Sequence, residues 1–162
     1  MLGRSYVTGI SLQGHVPRRH DPFGQSGERL ARLEFSSALE MLDIVEMVSD
    51  HVSRSVGCDE DTQHWVGLAL RESVINAIQH GNQNNVTKSV VVEFAKNQSA
   101  LILRVRDHGD GFDPDVVADP LAPEQLLRPA GRGLFLIRRL MDQVEIERAP
   151  EGGMQITMTK RI

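Results

Sequence analysis

The stretch ESVINAIQHGN, residues 72–82, places Glu72, Asn76 and His80 at successive steps of four residues. On an α-helix each step of four advances about 40° around the axis, so the three side chains lie along one edge. A carboxylate, an amide and an imidazole on one edge could offer a base, a cation ligand and a hydrogen-bonding group to one ligand. Apolar residues that repeat every three to four positions fall roughly on the opposite side, as Val66, Leu70, Val74, Ala77 and Ile78. The stretch therefore predicts an amphipathic helix with a functional edge and a separate core-facing stripe.

Length and composition limit the class of protein. The chain has 162 residues, which suits one domain of ordinary size with its own core. Cys58 is the only cysteine, which excludes an intramolecular disulfide and a cysteine-based zinc cluster and fits a reducing compartment. The formal net charge is −4 and the basic residues are dispersed, so the electrostatic footprint of a nucleic-acid binder is missing. No apolar stretch resembles a membrane span or signal peptide, so we expect a cytoplasmic protein with protein or small-molecule partners and no membrane contact.

The first part of the chain predicts a lead-in followed by one domain. Residues 1–29 mix glycine, proline and charge without a sustained period, so we expect a flexible N-terminal lead-in before a single domain over residues 30–162. A short strand comes next, and Ser36 or Ser37 offers the N-cap of the helix that follows.

The remaining elements predict the fold class. Gly57 ends the first helix, and Asp59 caps the helix that carries the functional edge. Alternating apolar residues then predict two β-hairpins, separated by an irregular connection over residues 107–132 and a helix over residues 134–141. This order predicts an α/β (α+β) two-layer sandwich, with a mixed, mostly antiparallel sheet and helices on one face.

The segment DHGDGFD, residues 107–113, follows the second strand of the first hairpin. A carboxylate at a strand end, here Asp107, can accept a hydrogen bond from an exocyclic amine, and Gly109 and Gly111 let the backbone approach a flat ring. Adenine is a good candidate for that ring, and the alternative is a simple acidic turn. An EF-hand calcium site is excluded because glycines occupy loop positions 3 and 5, which must supply oxygen ligands.

The segment Gly131-Arg132-Gly133-Leu134 lies at the mouth of the next predicted helix. Unpaired backbone amides and the positive end of the helix dipole favour phosphate there, and glycines keep those amides accessible. Arg128 or Arg132 could add a charge-assisted contact to a terminal phosphate. The segment lacks the third glycine of a dinucleotide-binding fingerprint, and the chain contains no GxxxxGK[ST] motif. The alternative is a helix start with a surface arginine.

The three segments occur in a fixed order with a helix, a strand end and a loop-to-helix junction as their contexts. ExxxNAxxHGN, VRDHGDGF and GRGLFLIRRLMD resemble the N, G1 and G2 boxes of the GHKL, or Bergerat-fold, ATP-binding domain of gyrase, histidine kinases and MutL. Within that family the chain is most similar to the stand-alone anti-sigma-factor serine/threonine kinases. The resemblance covers about residues 30–162. At Asn82 the sequence departs from relatives that often carry an aromatic residue.

The resemblance implies a role for each matching residue. Asn76 would bind the Mg²⁺ that bridges the ATP phosphates, and Glu72 would act as general base on an incoming serine hydroxyl. Asp107 would receive the adenine amino group, His80 would support the site, and the glycines of the third segment would close a lid over the phosphates. The implied ATP-binding residues are Asn76, His80, Asp107, Gly109, Gly111, Phe112, Arg128, Gly131, Arg132, Gly133 and Leu134.

The function implied by the resemblance is that of an ATP- and Mg²⁺-dependent anti-sigma-factor serine/threonine protein kinase. Such a kinase sequesters a sigma factor and phosphorylates a STAS-type anti-anti-sigma protein, and the resemblance also allows a homodimer. Two alternatives remain open: a nucleotide-gated binding module without phosphotransfer, and the detached catalytic domain of a histidine kinase. Glu72 separates the first alternative from the kinase, because a pure binding module does not need a base.

Overall fold

The computed structural model of the chain describes residues 7–11, 27–110, 129–149 and 152–162. Six strands form one sheet in the order β1-β2-β3-β4-β6-β5, and neighbouring strands pair antiparallel throughout. The strands are β1 Val7–Ser11, β2 Glu28–Ser36, β3 Ser89–Lys96, β4 Ala100–Arg106, β5 Gln143–Arg148 and β6 Met154–Arg161. The helices are α1 Leu42–Ser55, α2 Glu60–Asn76 and α3 Pro129–Leu140, with a 3₁₀ turn at Leu39–Met41 and a π-helical turn at Ala77–Gly81.

The helices pack on one face of the sheet, and the core lies between the two layers. The apolar stripe predicted for α2 is buried in this core, because its residues project toward the sheet. The largest fully buried side chains are Phe35, Phe94, Leu33, Leu70, Ile78, Leu101, Leu103, Ile137, Met158, Val45, Val66 and Val74. The predicted fold class, a two-layer sandwich with helices on one face, is confirmed.

Both predicted hairpins form. In the first, Asn97 closes the turn by donating its backbone amide to Ala100 O at 3.0 Å and accepting the Ser99 amide on its side chain at 3.0 Å. In the second, Gly152 and Gly153 have φ angles of 93° and 84°, which only glycine adopts without strain. The alternating patterns therefore predicted the strands, the turns between them and the buried face of each strand correctly.

The start of the first helix differs from its prediction. Ala38 occupies the N-cap of the 3₁₀ turn that leads into α1, so neither Ser36 nor Ser37 caps the helix. The Ser37 hydroxyl donates to Lys88 O at 3.0 Å instead, since the end of β2 lies against the start of β3. A serine near a helix start can form hydrogen bonds with backbone groups outside the helix, and here its hydroxyl bonds to the backbone beside the sheet.

The junction between α1 and α2 matches its prediction. Gly57 adopts a φ of 90° after the helix, and its amide donates to Arg54 O at 3.1 Å, while the Cys58 amide donates to Ser53 O at 3.0 Å. This pair of bonds is a Schellman motif. Asp59 then caps α2 by accepting the amide of Thr62 at 2.8 Å, and hydrogen bonding to Thr62 lowers the pKa of Asp59.

Three further boundaries were not anticipated. β1 lies inside the region expected to be a lead-in and pairs with β2, although no strand was predicted there. The strand β2 begins at Glu28, ahead of the predicted domain start. Helix α3 begins at Pro129 and not at residue 134, because proline is well suited to the first turn of a helix, where its missing amide has no intrahelical partner. Among the described residues, no helix is both long and apolar enough to cross a bilayer.

The sheet face opposite the helices combines charged side chains with a small buried apolar pair, Ala95 and Ile102. Glu93 lies at the centre of an ionic cluster, 3.4 Å from Arg29, 3.8 Å from Arg32 and 3.7 Å from Arg104. Arg32 also donates to Glu34 at 2.8 Å, and this hydrogen bond holds the pKa of Glu34 below its usual range. Alternation therefore gives the strands one apolar face for the core and a second face that carries this ionic cluster.

Candidate functional site

The functional edge of α2 divides into an α-helical part and a π-helical part. Glu72 and Asn76 are half-buried on the last turns of α2, whereas His80 is exposed within the π-helical turn that follows. In that turn the amide of Asn82 donates to Ala77 O at 2.8 Å, one residue beyond the α-helical partner. The predicted ladder is therefore regular only from Glu72 to Asn76, and His80 follows a wider helical path. Such single π turns inside helices occur often at functional sites.

Gly133 connects the third sequence segment to this edge. A Cβ placed on Gly133 would lie 3.1 Å from Glu72 Oε2, 3.2 Å from Asn76 Nδ2 and 3.5 Å from Asn76 Oδ1. Because Gly133 is buried on α3, the fold places the helix backbone directly against the proposed base and the proposed metal ligand. A side chain here would require Glu72 and Asn76 to move back by a few tenths of an ångström.

Asp107 is the buried carboxylate at the end of β4. Its side chain Oδ1 accepts the amide of Gly109 at 2.8 Å and the amide of Met154 at 3.1 Å, while its own amide donates to Met154 O at 3.0 Å. With only 5% of its surface exposed, the carboxylate depends on these amides for its position. The second oxygen, Oδ2, lies on the side facing Gly81.

Three glycines pack around this carboxylate. A Cβ on Gly81 would overlap the Asp107 side chain, and a Cβ on Gly109 would overlap the carbonyl oxygen of Gly81. A Cβ on Gly153 would overlap the carbonyl of Asp107. Sequence reasoning assigned Gly109 to this pocket and Gly153 only to a hairpin turn. Two glycines stand together at residues 152–153, although one is enough to form a turn. The second glycine could have indicated a close contact with another segment.

A cavity of about 110 Å³ opens between α2, α3 and the strand ends. Its walls are mainly apolar, and Asp107 and Asn76 supply polar groups at their margins. The lining residues are Ser73, Asn76, Ala77, His80, Gly81, Val105, Asp107, Leu134, Ile146, Met154, Gln155 and Ile156. An apolar slot with one buried carboxylate suits a flat ring that carries an amine.

The predicted residues reach different parts of this region. Asn76, His80, Asp107 and Leu134 line the cavity, and Glu72 with Gly133 lies beside Asn76. Gly109 packs beneath the carboxylate of Asp107, and Arg132 is exposed on α3. Because α3 begins at Pro129, Gly131 lies in the first turn of the helix and Gly133 lies just beyond that turn. Gly111, Phe112 and Arg128 fall outside the described residues.

Sequence reasoning missed a buried hydrogen-bond network next to the cavity. Asn82 is fully buried and its side-chain amide bonds to Ser37, Ser89 and the backbone of His108. The His108 ring lies 2.9 Å from Ser89 O through Nδ1 and 3.0 Å from Arg106 Nη2 through Nε2. These contacts join the ring to β3 and to the end of β4. His108, expected to be an ordinary polar histidine, therefore links two neighbouring strands.

Comparison with known proteins agrees with this arrangement. A family model described as the histidine kinase-like ATPase domain matches residues 35–160. The serine-protein kinase RsbW of Staphylococcus aureus is 28% identical over 145 residues, which cover 85% of this chain and 90% of that protein. The same protein from strains Newman and USA300 matches to the same extent. The match covers most of the chain, and the resemblance predicted from three short segments is confirmed. This chain belongs to the histidine kinase-like ATPase domain family.

Proposed function

We propose that this protein is an ATP- and Mg²⁺-dependent anti-sigma-factor serine/threonine protein kinase. It acts in the cytoplasm, sequesters a sigma factor, and phosphorylates a STAS-type anti-anti-sigma protein, and two copies of the chain associate. The support is membership in the ATPase-domain family and the likeness to relatives named serine-protein kinases. The part of the proposal that concerns phosphoryl transfer rests on the geometry around α2.

The residues present fit the two proposed cofactors. Mg²⁺ requires oxygen ligands and usually combines one or two protein groups with substrate phosphates and water. Within the described ranges, no group of three His, Cys, Asp or Glu side chains could hold a metal alone. The amide oxygen of Asn76, with Glu72 nearby, is the partial ligand set that such a shared site needs. The apolar slot ending at Asp107 fits the adenine ring.

Each side chain has a defined task in the proposed reaction. When bound, ATP with Mg²⁺ supplies the phosphoryl group and neutralises part of its charge. Asn76 Oδ1 would hold the cation, and Asp107 would accept a hydrogen bond from the adenine amine. Glu72 takes the proton from the incoming serine hydroxyl as its oxygen forms a bond to the γ-phosphorus, while the bond from that phosphorus to ADP breaks and ADP leaves. The backbone of α3 at Gly133 closes the space beside these two groups and excludes bulk water.

One observation carries this proposal. The proposed base and the proposed metal ligand, Glu72 and Asn76, both lie within 3.5 Å of the position that a Cβ on Gly133 would occupy. These residues come from two segments separated by more than fifty positions. Glu72, Asn76 and Gly133 all belong to the segments that the sequence patterns single out. A base beside a cation ligand and a close-packed helix is an arrangement suited to phosphoryl transfer, which needs positioning and electrostatics more than covalent chemistry.

The test is transfer of labelled phosphate from ATP to purified STAS-domain proteins of the same organism. Glu72→Gln keeps the size and hydrogen bonding of the side chain but removes the base, so transfer should fall by about a hundredfold or more while ATP still binds. Glu46→Gln is the matched control, because Glu46 is a helix carboxylate that pairs with Arg71 away from the cavity. Asn76→Ala should lose Mg²⁺-dependent nucleotide binding.

The possible outcomes separate the functions considered. Transfer that persists at the original rate in Glu72→Gln would refute the proposed base. Tight ATP binding without labelled product, for every STAS protein tested, would indicate a nucleotide-gated binding module. An acid-labile product would indicate phosphohistidine and hence a histidine-kinase catalytic domain, whereas phosphoserine survives acid.

A further inference from the structure

Asn82 is a buried amide that has no role in the proposed chemistry, yet its side chain is fully engaged. The side-chain Nδ2 donates to Ser37 Oγ at 2.7 Å and to Ser89 O at 2.8 Å. Oδ1 accepts the backbone amide of His108 at 2.9 Å. None of the residue's surface is exposed. A buried amide with both donors and its acceptor satisfied holds the segments it joins in one arrangement.

The contact to His108 takes the place of a backbone hydrogen bond between neighbouring strands. The β3–β4 ladder ends at the pair Val91↔Arg106, and the Ser89 carbonyl beyond it contacts the side chains of Asn82 and His108. The next amide along β4 bonds to Met154 O on β6, and the one after it bonds to the Asn82 side chain. One side chain thus replaces the backbone of a neighbouring strand at the point where β4 reaches the cavity.

This contact fixes the distance between the π-helical turn and the strand end. Asn82 directly follows Gly81, and His108 directly follows Asp107, so the bond joins the residues next to the closest approach of these two segments. Gly81 has no room for a Cβ against the Asp107 carboxylate, and the Gly81 carbonyl packs on Gly109. A displacement of the His108 backbone would therefore be transmitted to the position of Asp107 Oδ2.

We propose that Asn82 is a positioning residue that holds the Asp107 carboxylate where it selects adenine over guanine. The inference rests on the proposed nucleotide-binding function and adds a determinant of base specificity to it. Adenine presents an exocyclic amine where guanine presents a carbonyl oxygen, so a correctly placed carboxylate accepts a hydrogen bond from adenine and repels guanine. A carboxylate displaced by a fraction of an ångström loses part of both effects.

Three variants separate positioning from simple packing. Asn82→Ala removes every side-chain bond. Asn82→Asp keeps an oxygen that accepts the His108 amide but lacks the donors to Ser37 and Ser89. Ser37→Ala removes one partner of Asn82 and leaves the His108 contact in place. All three should lower stability, but only Asn82→Ala should release the strand end.

The experiment measures dissociation constants of ATP and GTP for the full chain and its variants, together with unfolding by circular dichroism. In Asn82→Ala the ratio of GTP to ATP dissociation constants should fall about tenfold, because the adenine amine loses one well-placed hydrogen bond. In Asn82→Asp and Ser37→Ala the ratio should stay within about twofold of the unmodified protein. Hydrogen exchange at the His108 amide should accelerate in Asn82→Ala only.

The results distinguish this inference from the function on which it rests. A folded Asn82→Ala that keeps the full ATP preference would overturn the positioning role alone. If Asn82→Ala does not fold, Asn82→Asp provides the test. A loss of the preference for ATP over GTP in Asn82→Asp, while the His108 amide stays protected from hydrogen exchange, would also overturn the positioning role. Absence of ATP binding by the unmodified chain would instead overturn the proposed function, and the inference with it.

Discussion

Replacing Gly133 with alanine should separate stability from catalysis in a single substitution. Gly133 lies inside α3, where alanine is favoured over glycine by about 1 kcal/mol because glycine loses more backbone entropy on helix formation. The added methyl would stand 3.1 Å from Glu72 Oε2 and 3.2 Å from Asn76 Nδ2. Both polar groups must then retreat by a few tenths of an ångström.

Gly67 is the matched control for this change. It lies inside α2, and a Cβ built on it meets no atom within 4 Å. Gly67→Ala should therefore gain about 1 kcal/mol, which raises Tm by roughly 2–4 °C for a domain of this size. Gly133→Ala should gain less, because the tight contacts offset part of the helix preference.

The two variants should differ most in phosphate transfer. A misplacement of about 1 Å in a catalytic group can cost about a hundredfold in rate, so a shift of a few tenths should cost roughly tenfold. Thermal unfolding and labelled-phosphate transfer, measured on the same preparations, give both quantities. Gly133→Ala that transfers phosphate as fast as Gly67→Ala would refute the inference that α3 packs against the reacting groups.

Three other substitutions test the fold. Gly57→Ala should destabilise by about 1 kcal/mol or more, because alanine is strained at a φ of 90°; an unchanged urea midpoint would contradict this. Arg32→Gln should raise the pKa of Glu34 toward its ordinary value, visible in a carboxyl NMR titration. Since the folded pKa of Glu34 is depressed, the ion pair stabilises at neutral pH and that stabilisation is lost as pH falls through the folded pKa, so the variant should lose less stability on acidification. Lys160→Met should cost about 1 kcal/mol or more, because the ammonium donates to Leu140 O at 3.0 Å, lies 3.8 Å from Asp142 and lies 4.9 Å from the Trp65 ring centroid; an unchanged Tm would argue that these contacts do not stabilise the fold.

Periodicity was sufficient to predict most of the fold. The alternation of Val90, Val92 and Phe94 and the helical repeat through Val66 and Leu70 arise from burial against one layer, and each pattern is local in sequence. Helix N-caps were less predictable, because a serine hydroxyl can form hydrogen bonds with several alternative backbone groups. Ser37 bonds to Lys88 across the sheet, and that competition depends on a strand more than fifty residues away.

The candidate site was predictable where its residues lie in short sequence segments. Glu72, Asn76 and Asp107 carry groups whose proposed roles follow from residue type and spacing, and the fold brings them to one region. Gly153 and Asn82 were missed because each acts by contact with a segment distant in sequence. A glycine at a hairpin and an asparagine after a helix have common local explanations, which conceal their long-range roles.

The bond from the Met154 amide to the Asp107 carboxylate joins residues 47 positions apart. During synthesis, the helix edge and the strand end are complete well before β6 exists, yet the carboxylate lacks this partner until β6 pairs with β4. Long-range strand pairing is among the slower steps of folding. Affinity for any ligand held by Asp107 should therefore arise only after β6 has paired, which makes this site one of the last parts of the domain to form.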